Sequence, residues 1–157
     1  MSENRKIETA NTGLNIEKYG VVIKDSKVVQ ILFDAQSSNN DVISNVFLET
    51  KRQIDEYFQG LRKNFELPYT LSGSLFELSV LKEIINVPYG ETISYARLAN
   101  SSGYPKAVRA VATVCRKNKL PILIPCHRVI KSDGTPGKYS GGDLLKIALL
   151  ELEKKYK

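Results

Sequence analysis

Apolar positions alternate with period two early in the chain and recur at helical spacing later. Tyr19-Gly20-Val21-Val22-Ile23 and Val28-Val29-Gln30-Ile31-Leu32-Phe33 are β-branched runs on either side of the polar tetrapeptide Lys24-Asp25-Ser26-Lys27, a pattern that predicts a hairpin. The polar stretch Ser37-Ser38-Asn39-Asn40 then leads to Asp41, the expected N-cap of a helix. Behind it Ile43, Phe47, Ile54, Phe58 and Leu61 fall at spacings that fit one helical face. This part reads as a small antiparallel sheet covered by a helix, and no chemistry is visible in it.

Pro68 interrupts both periodicities, so Glu66 to Leu71 reads as a connection. The predicted organisation is residues 1–66 as an N-terminal α/β domain, 67–72 as a linker and 73–157 as a second domain. Ser74 and Glu77 have capping-box spacing and open a helix with Leu75, Leu78, Leu81 and Ile85 on one face, ending before Pro88-Tyr89-Gly90. Ser94 to Asn100 predicts a short helix and Ser102-Gly103-Tyr104 a turn. Pro105 is expected at the first position of a second helix running from Lys106 to Asn118. Helix, glycine-containing turn, helix is the outline of a helix-turn-helix, an outline also common in purely structural roles. The expected fold class is α+β, the second domain mostly helical with a loop carrying Cys126.

Composition narrows the setting. At 157 residues with 42% hydrophobic and 25% charged side chains, the chain can bury a core and keep a polar surface. No apolar run approaches the roughly 20 residues of a membrane span, and Met1-Ser2-Glu3-Asn4-Arg5-Lys6 lacks the apolar stretch of a secretory signal. The expected location is the cytoplasm, or the nucleus of a eukaryotic cell. Two cysteines eleven positions apart make no disulfide framework, and with a single histidine they cannot close a four-ligand zinc site. The net charge of +6 is uneven: residues 1–68 carry −1 and residues 69–157 carry +7. A basic second half suits a polyanionic partner, because Lys and Arg displace counterions from phosphates. A solvated surface with no partner fits the charge equally well.

The candidate chemistry lies in Ile124-Pro125-Cys126-His127-Arg128-Val129, where one of the two cysteines directly precedes the only histidine. A thiol attacks as thiolate, which a nearby base or cation favours, and His127 and Arg128 supply one of each. A buried structural cysteine beside an incidental histidine is the alternative. The second predicted helix offers small side chains at Ala107, Ala110, Val111 and Val114 beside the cations Lys106, Arg109, Arg116 and Lys117. Small residues permit close approach to a groove wall while cations meet phosphates; core packing by the alanines is the alternative.

Taken with its neighbours, Pro121-Ile122-Leu123-Ile124-Pro125-Cys126-His127-Arg128-Val129-Ile130 resembles the acceptor-cysteine motif of the O6-alkylguanine-DNA alkyltransferases. Val87 to Tyr95 resembles the stretch leading into that family's helix-turn-helix, Pro105 to Val111 the start of its recognition helix, Asn118 its hinge, and Tyr139-Ser140-Gly141-Gly142 its closing loop. The resemblance covers most of residues 70–157; the first half matches only in general character.

The resemblance implies single-turnover transfer of an alkyl group from O6-alkylguanine, and from O4-alkylthymine, in duplex DNA to Cys126. No cofactor and no metal are expected, because the damaged base is itself the alkyl donor. The expected partner is double-stranded DNA, with no membrane and a monomeric protein. By position, Cys126, His127 and Glu153 would be catalytic. Tyr95, Val129, Ser140, Asn118 and Tyr139 would bind the extruded base, Tyr95 as a hydrogen-bond donor, Ser140 through its backbone N–H and Val129 through its carbonyl. Arg109 would fill the space vacated in the duplex, with Lys106, Ala107, Ala110 and Arg116 also at the DNA. Extrusion is required because a methyl inside a stacked pair is out of reach.

Three other functions fit these residues less well. A protein that only binds alkylated bases would lack the acceptor cysteine, which this chain keeps. A helix-turn-helix regulator would carry a dimerisation element, and no heptad stands out. A cysteine hydrolase would carry its Cys and His far apart in sequence, unlike the adjacent pair here.

Overall fold

The computed structural model describes residues 7–8, 15–16, 19–33 and 44–157. The chain divides into two compact units, Met1–Thr70 and Leu71–Lys157. In the first, β1 (Ile7–Glu8) pairs antiparallel with β2 (Asn15–Ile16). The expected hairpin is formed by β3 (Tyr19–Lys24) and β4 (Lys27–Phe33), which also pair antiparallel. Its turn is only Asp25-Ser26, at φ 51° and 58°; two left-handed residues match the right-handed twist of the strands they join. Tyr19, Val21, Val28 and Ile31 are buried.

Helix α1 (Asn45–Phe58) is capped by Ser44, whose hydroxyl accepts from the Phe47 N–H at 3.2 Å. Asp41, Ile43 and the Ser37–Asn40 stretch lie outside the described residues. Its buried face is Thr50, Gln53, Ile54, Tyr57 and Phe58. Leu61, expected on that face, is 74% exposed. The helix ends at Phe58 and the chain reverses through Gly60 at φ 75°, so helical periodicity no longer applies at Leu61. The segment read as a connection is bonded to β4: the Val28 N–H donates to Pro68 O at 2.8 Å and the Thr70 N–H to Val28 O at 3.1 Å.

In the second unit, Ser74 and Glu77 form the expected capping box at the start of α2 (Leu75–Ile85). The buried stripe is Val80, Leu81 and Ile84, while Leu75 is 84% exposed. The helix packs against both α3 and α4, which turns its apolar face about one position from the sequence expectation. Strand β5 (Ile93–Ser94) leads into α3 (Tyr95–Ser101), where the Ser94 hydroxyl accepts from the Arg97 N–H.

Helix α4 (Val108–Arg116) starts later than expected. The Ala107 N–H donates to Tyr104 O at 2.9 Å, which puts Pro105 at the second position of a β-turn, where its fixed φ also fits. Pro105 thus shapes the turn between the helices instead of opening the second. After a loop, one 3₁₀ turn (Cys126–Arg128) runs into β6 (Val129–Ile130). Strand β6 pairs in parallel with β5, Ile93 opposite Val129, fixing the cysteine-bearing turn beside the start of α3. Helix α5 (Asp143–Tyr156) closes the unit. Among the described residues no helix is long and apolar enough to cross a membrane.

Candidate active site

Asn118, just past α4, holds the loop that presents Cys126. Its Oδ1 accepts from the Leu120 N–H at 3.0 Å, and its Nδ2 donates to Ile124 O at 2.9 Å and to Cys126 Sγ at 3.1 Å. One amide thereby fastens both ends of the loop and the sulfur. Between them Ile122 sits at φ 74°, a conformation that costs a β-branched residue about 1–3 kcal/mol and that the fastened, buried loop imposes. At Pro125 (φ −79°, ψ 60°) the Cys126 N–H reaches back to Ile124 O at 2.7 Å, an inverse γ-turn. The 3₁₀ turn follows, sending the side chains of Cys126, His127 and Arg128 in different directions.

Cys126 is 1% exposed. Burial pushes its thiol up to about 11, against the opposing pulls of the Asn118 hydrogen bond and the Lys146 charge. The expectation that His127 and Arg128 would favour the thiolate is therefore corrected for this state. The Arg128 guanidinium turns away to Glu153 and to Val87 O, and the thiol is protonated.

His127 and Glu153 are fully buried and meet at 2.7 Å between Nε2 and Oε1. Burial alone would raise Glu153, but hydrogen bonds and charges from His127 and Arg128 outweigh it and hold the carboxyl well below the usual range. An ionised carboxylate only accepts, so Nε2 carries the proton and Nδ1 is the basic nitrogen. Glu153 also accepts from Arg128 Nε at 2.9 Å, Arg128 Nη2 at 2.8 Å and the Gly90 N–H at 3.1 Å.

Lys146 belongs to no motif legible in the sequence, yet it is 0% exposed. Its ammonium donates to Val129 O at 2.6 Å, to Tyr95 Oη at 3.2 Å and to Lys138 O at 3.4 Å. It thus ties the cysteine turn, α3 and the loop before α5 together. An ammonium has no acceptor, so Tyr95 receives there and keeps its own proton for another partner. Burial pushes the Tyr95 hydroxyl up to about 12, so that proton is retained. Gly137 likewise carries no sequence signal: at φ 77° a Cβ there would lie 2.9 Å from Tyr95 Oη. The legible sign for Lys146 is its place on the α5 stripe with Leu145, Leu149, Leu152 and Glu153; a charge on an apolar stripe invites a buried function.

The structure brings the buried residues Cys126, His127, Glu153, Asn118 and Val129 together with the half-buried Tyr95, and the buried Tyr139 ring lies 6.4 Å from that of His127. Ser140 is exposed on the adjoining turn, where the Gly142 N–H donates to Tyr139 O. Lys106, Arg109, Ala110 and Arg116 are exposed, and Ala107 is half-buried. Val111 and Val114, expected on the slim surface, are core residues.

The buried pair fixes an acid response. Burial holds His127 below its ordinary value; below about pH 6.5 the unfolded chain gains a proton there that the folded chain refuses, so stability falls. Glu153, also depressed, adds a loss that begins near its unfolded value of about 4.3 and continues downward. Urea midpoints measured from pH 8 to pH 4 should therefore decline first below about 6.5, and His127→Gln should remove that first segment. A flat profile between pH 7 and pH 5 in the parent would contradict the assignment.

Comparison with known proteins adds three findings. The family profile described as 6-O-methylguanine DNA methyltransferase, DNA binding domain, matches residues 75–155. The constitutive methylated-DNA–protein-cysteine methyltransferase of Bacillus subtilis is 44% identical over 107 residues, covering 68% of this chain and 65% of that protein. The chain thus aligns with slightly under two thirds of that relative's length. The protein of the same name from Mycobacterium bovis is 33% identical over 154 residues, 98% of this chain and 93% of that one. The crystal structure of Mycobacterium tuberculosis OGT in complex with DNA superimposes with a TM-score of 0.82 at 34% identity, covering 90% of this chain and 89% of that one.

Proposed function

The chain belongs to the O6-methylguanine-DNA methyltransferase family, and from that premise we infer that it repairs DNA by taking an alkyl group from O6-alkylguanine onto Cys126. The observation that carries this is a buried thiol held by Asn118 next to a His127–Glu153 pair, in the unit that also exposes Lys106, Arg109 and Arg116. His127, through Nδ1, takes the thiol proton by way of a water. The sulfur then attacks the alkyl carbon, the carbon–O6 bond breaks, and its electron pair leaves with guanine. Tyr95 supplies a hydrogen bond to the departing base, whose charge needs a donor. The product is a thioether that nothing in the site cleaves, so each molecule reacts once and needs no cofactor. O4-alkylthymine fits the same chemistry. The protein works as a monomer on double-stranded DNA, in the cytoplasm or the eukaryotic nucleus.

Incubation with duplex DNA containing O6-methylguanine should give intact protein heavier by one methyl and unmodified guanine in the DNA. Binding without any mass change would instead make this a protein that only recognises alkylated bases.

Arg109, exposed on α4, supports extrusion of the nucleotide. Unstacking costs a few kcal/mol in a duplex and little for a free base, and about 1.4 kcal/mol is a factor of ten in rate. Arg109→Ala should therefore slow duplex repair about tenfold or more while reacting almost normally with free O6-benzylguanine. Equal slowing on both would place Arg109 in the reaction chamber. A duplex rate restored at low salt would reduce it to a phosphate contact.

A further inference from the structure

Arg128 is a buried cation of the Cys-His-Arg turn that does not face the sulfur. Its guanidinium grips Glu153 through Nε, at 3.2 Å and 2.9 Å to the two oxygens, and through Nη2 at 2.8 Å to Oε1. Nη1 donates to Val87 O at 2.7 Å, which fixes the plane of the grip. Oε1 is the oxygen that also meets His127 Nε2. The same carboxylate therefore serves an imidazole and a permanent cation.

That sharing bears on what His127 can do. A buried imidazole facing a carboxylate alone is pulled toward the imidazolium form, because an opposite charge at hydrogen-bond distance favours the charged state. An imidazolium has no lone pair with which to accept a proton. The groups facing His127 are Glu153 and Lys146 from α5, Arg128 from its own turn and the Tyr139 ring from the loop before α5. Burial lowers His127 most; Glu153 pulls the other way, and the positive charges of Arg128 and Lys146 oppose that pull.

We propose that Arg128 is a positioning residue for the transfer reaction: by engaging both oxygens of Glu153 it offsets that charge and leaves His127 unprotonated, free to take the proton of Cys126. The role rests on the transfer reaction proposed above. Arg128 hydrogen-bonds to Glu153 and Val87 O rather than to the sulfur, and it acts through Glu153 and His127.

His127 is the only histidine in the chain, so its ring gives a single, unambiguous NMR titration. In the parent protein the ring should titrate below about 6.5, or stay neutral until acid unfolding. In Arg128→Gln the midpoint should rise, and in Arg128→Lys, which keeps the charge, it should stay near the parent's. The acid limb of the single-turnover transfer rate should move with it. At pH 7 Arg128→Gln should then react about tenfold or more slowly and recover as the pH is raised. A slower Arg128→Gln with an unmoved titration and an unmoved limb would make Arg128 scaffold only and overturn the proposal. If Arg128→Gln does not fold, the other two proteins decide: a parent ring titrating at or above about 6.5, or a midpoint raised in Arg128→Lys, overturns it. A parent whose ring behaves as expected but which takes up no methyl from O6-methylguanine DNA would refute the transfer reaction instead, and leave Arg128 as the group that sets His127 protonation.

Discussion

Exchange of Cys126 for serine is expected to reduce alkyl transfer to background, whereas the same exchange at Cys115 should leave it nearly intact. Accessibility does not separate the two thiols, since both are buried. Ionisation separates them little: burial pushes the Cys126 thiol up to about 11 and the Cys115 thiol up to about 12. Geometry separates them further. Cys126 receives an amide hydrogen bond from Asn118 at 3.1 Å, a contact that stabilises a thiolate more than a thiol, and its neighbour His127 carries a basic nitrogen. A serine hydroxyl in that place is a far weaker acid, and His127 cannot strip its proton. Peptide mapping after reaction with a methylated duplex checks the assignment directly. An adduct on Cys115, or more than one equivalent of product per protein, contradicts it.

Glu153→Gln is expected to damage both stability and activity, and for a single reason. Two carboxylate oxygens accept from His127, two Arg128 nitrogens and the Gly90 N–H. An amide replaces one of those acceptors by a donor and leaves the buried guanidinium without its counter-charge. Breaking a buried pair from one side costs roughly 3–5 kcal/mol, which in a chain of this size lowers Tm by roughly 6–20 °C. The transfer rate should fall with it, because His127 loses the partner that fixes its tautomer. Losses from Glu153→Gln and His127→Ala should not add in the double variant, since both break one unit. Additive losses, or a Glu153→Gln protein as stable and active as the parent, would detach Glu153 from the mechanism.

Local chemistry was legible in the sequence where neighbours along the chain decide it. The Asp25-Ser26 hairpin and the Ser74–Glu77 capping box follow from short-range rules, and both are present. Cys126 and His127 stand out as adjacent residues, whereas Asn118 and Glu153 are legible only through the family resemblance at their separate positions. Leu61 and Leu75 were misplaced because helical period gives a face but not where a helix ends or which neighbours turn it. Arg128 was misjudged for a related reason. Sequence adjacency put its charge beside Cys126, while the 3₁₀ turn sends it to Glu153. Lys146 is hard to read because a helical lysine normally reaches water even from an apolar stripe; its three acceptors, Val129 O, Tyr95 Oη and Lys138 O, come from separate segments.

The protonated resting thiol has a consequence for supply. Burial pushes the Cys126 thiol up to about 11, so the resting sulfur is held as thiol at pH 7. Thiolates are what attack soluble electrophiles and peroxides, so a buried thiol gives such reagents little to consume. That matters under the proposed single-turnover transfer, in which every copy is good for one event. On that reaction its capacity to clear lesions would be a headcount of unspent molecules, and a buried, neutral sulfur would keep that headcount from eroding between encounters with damaged DNA.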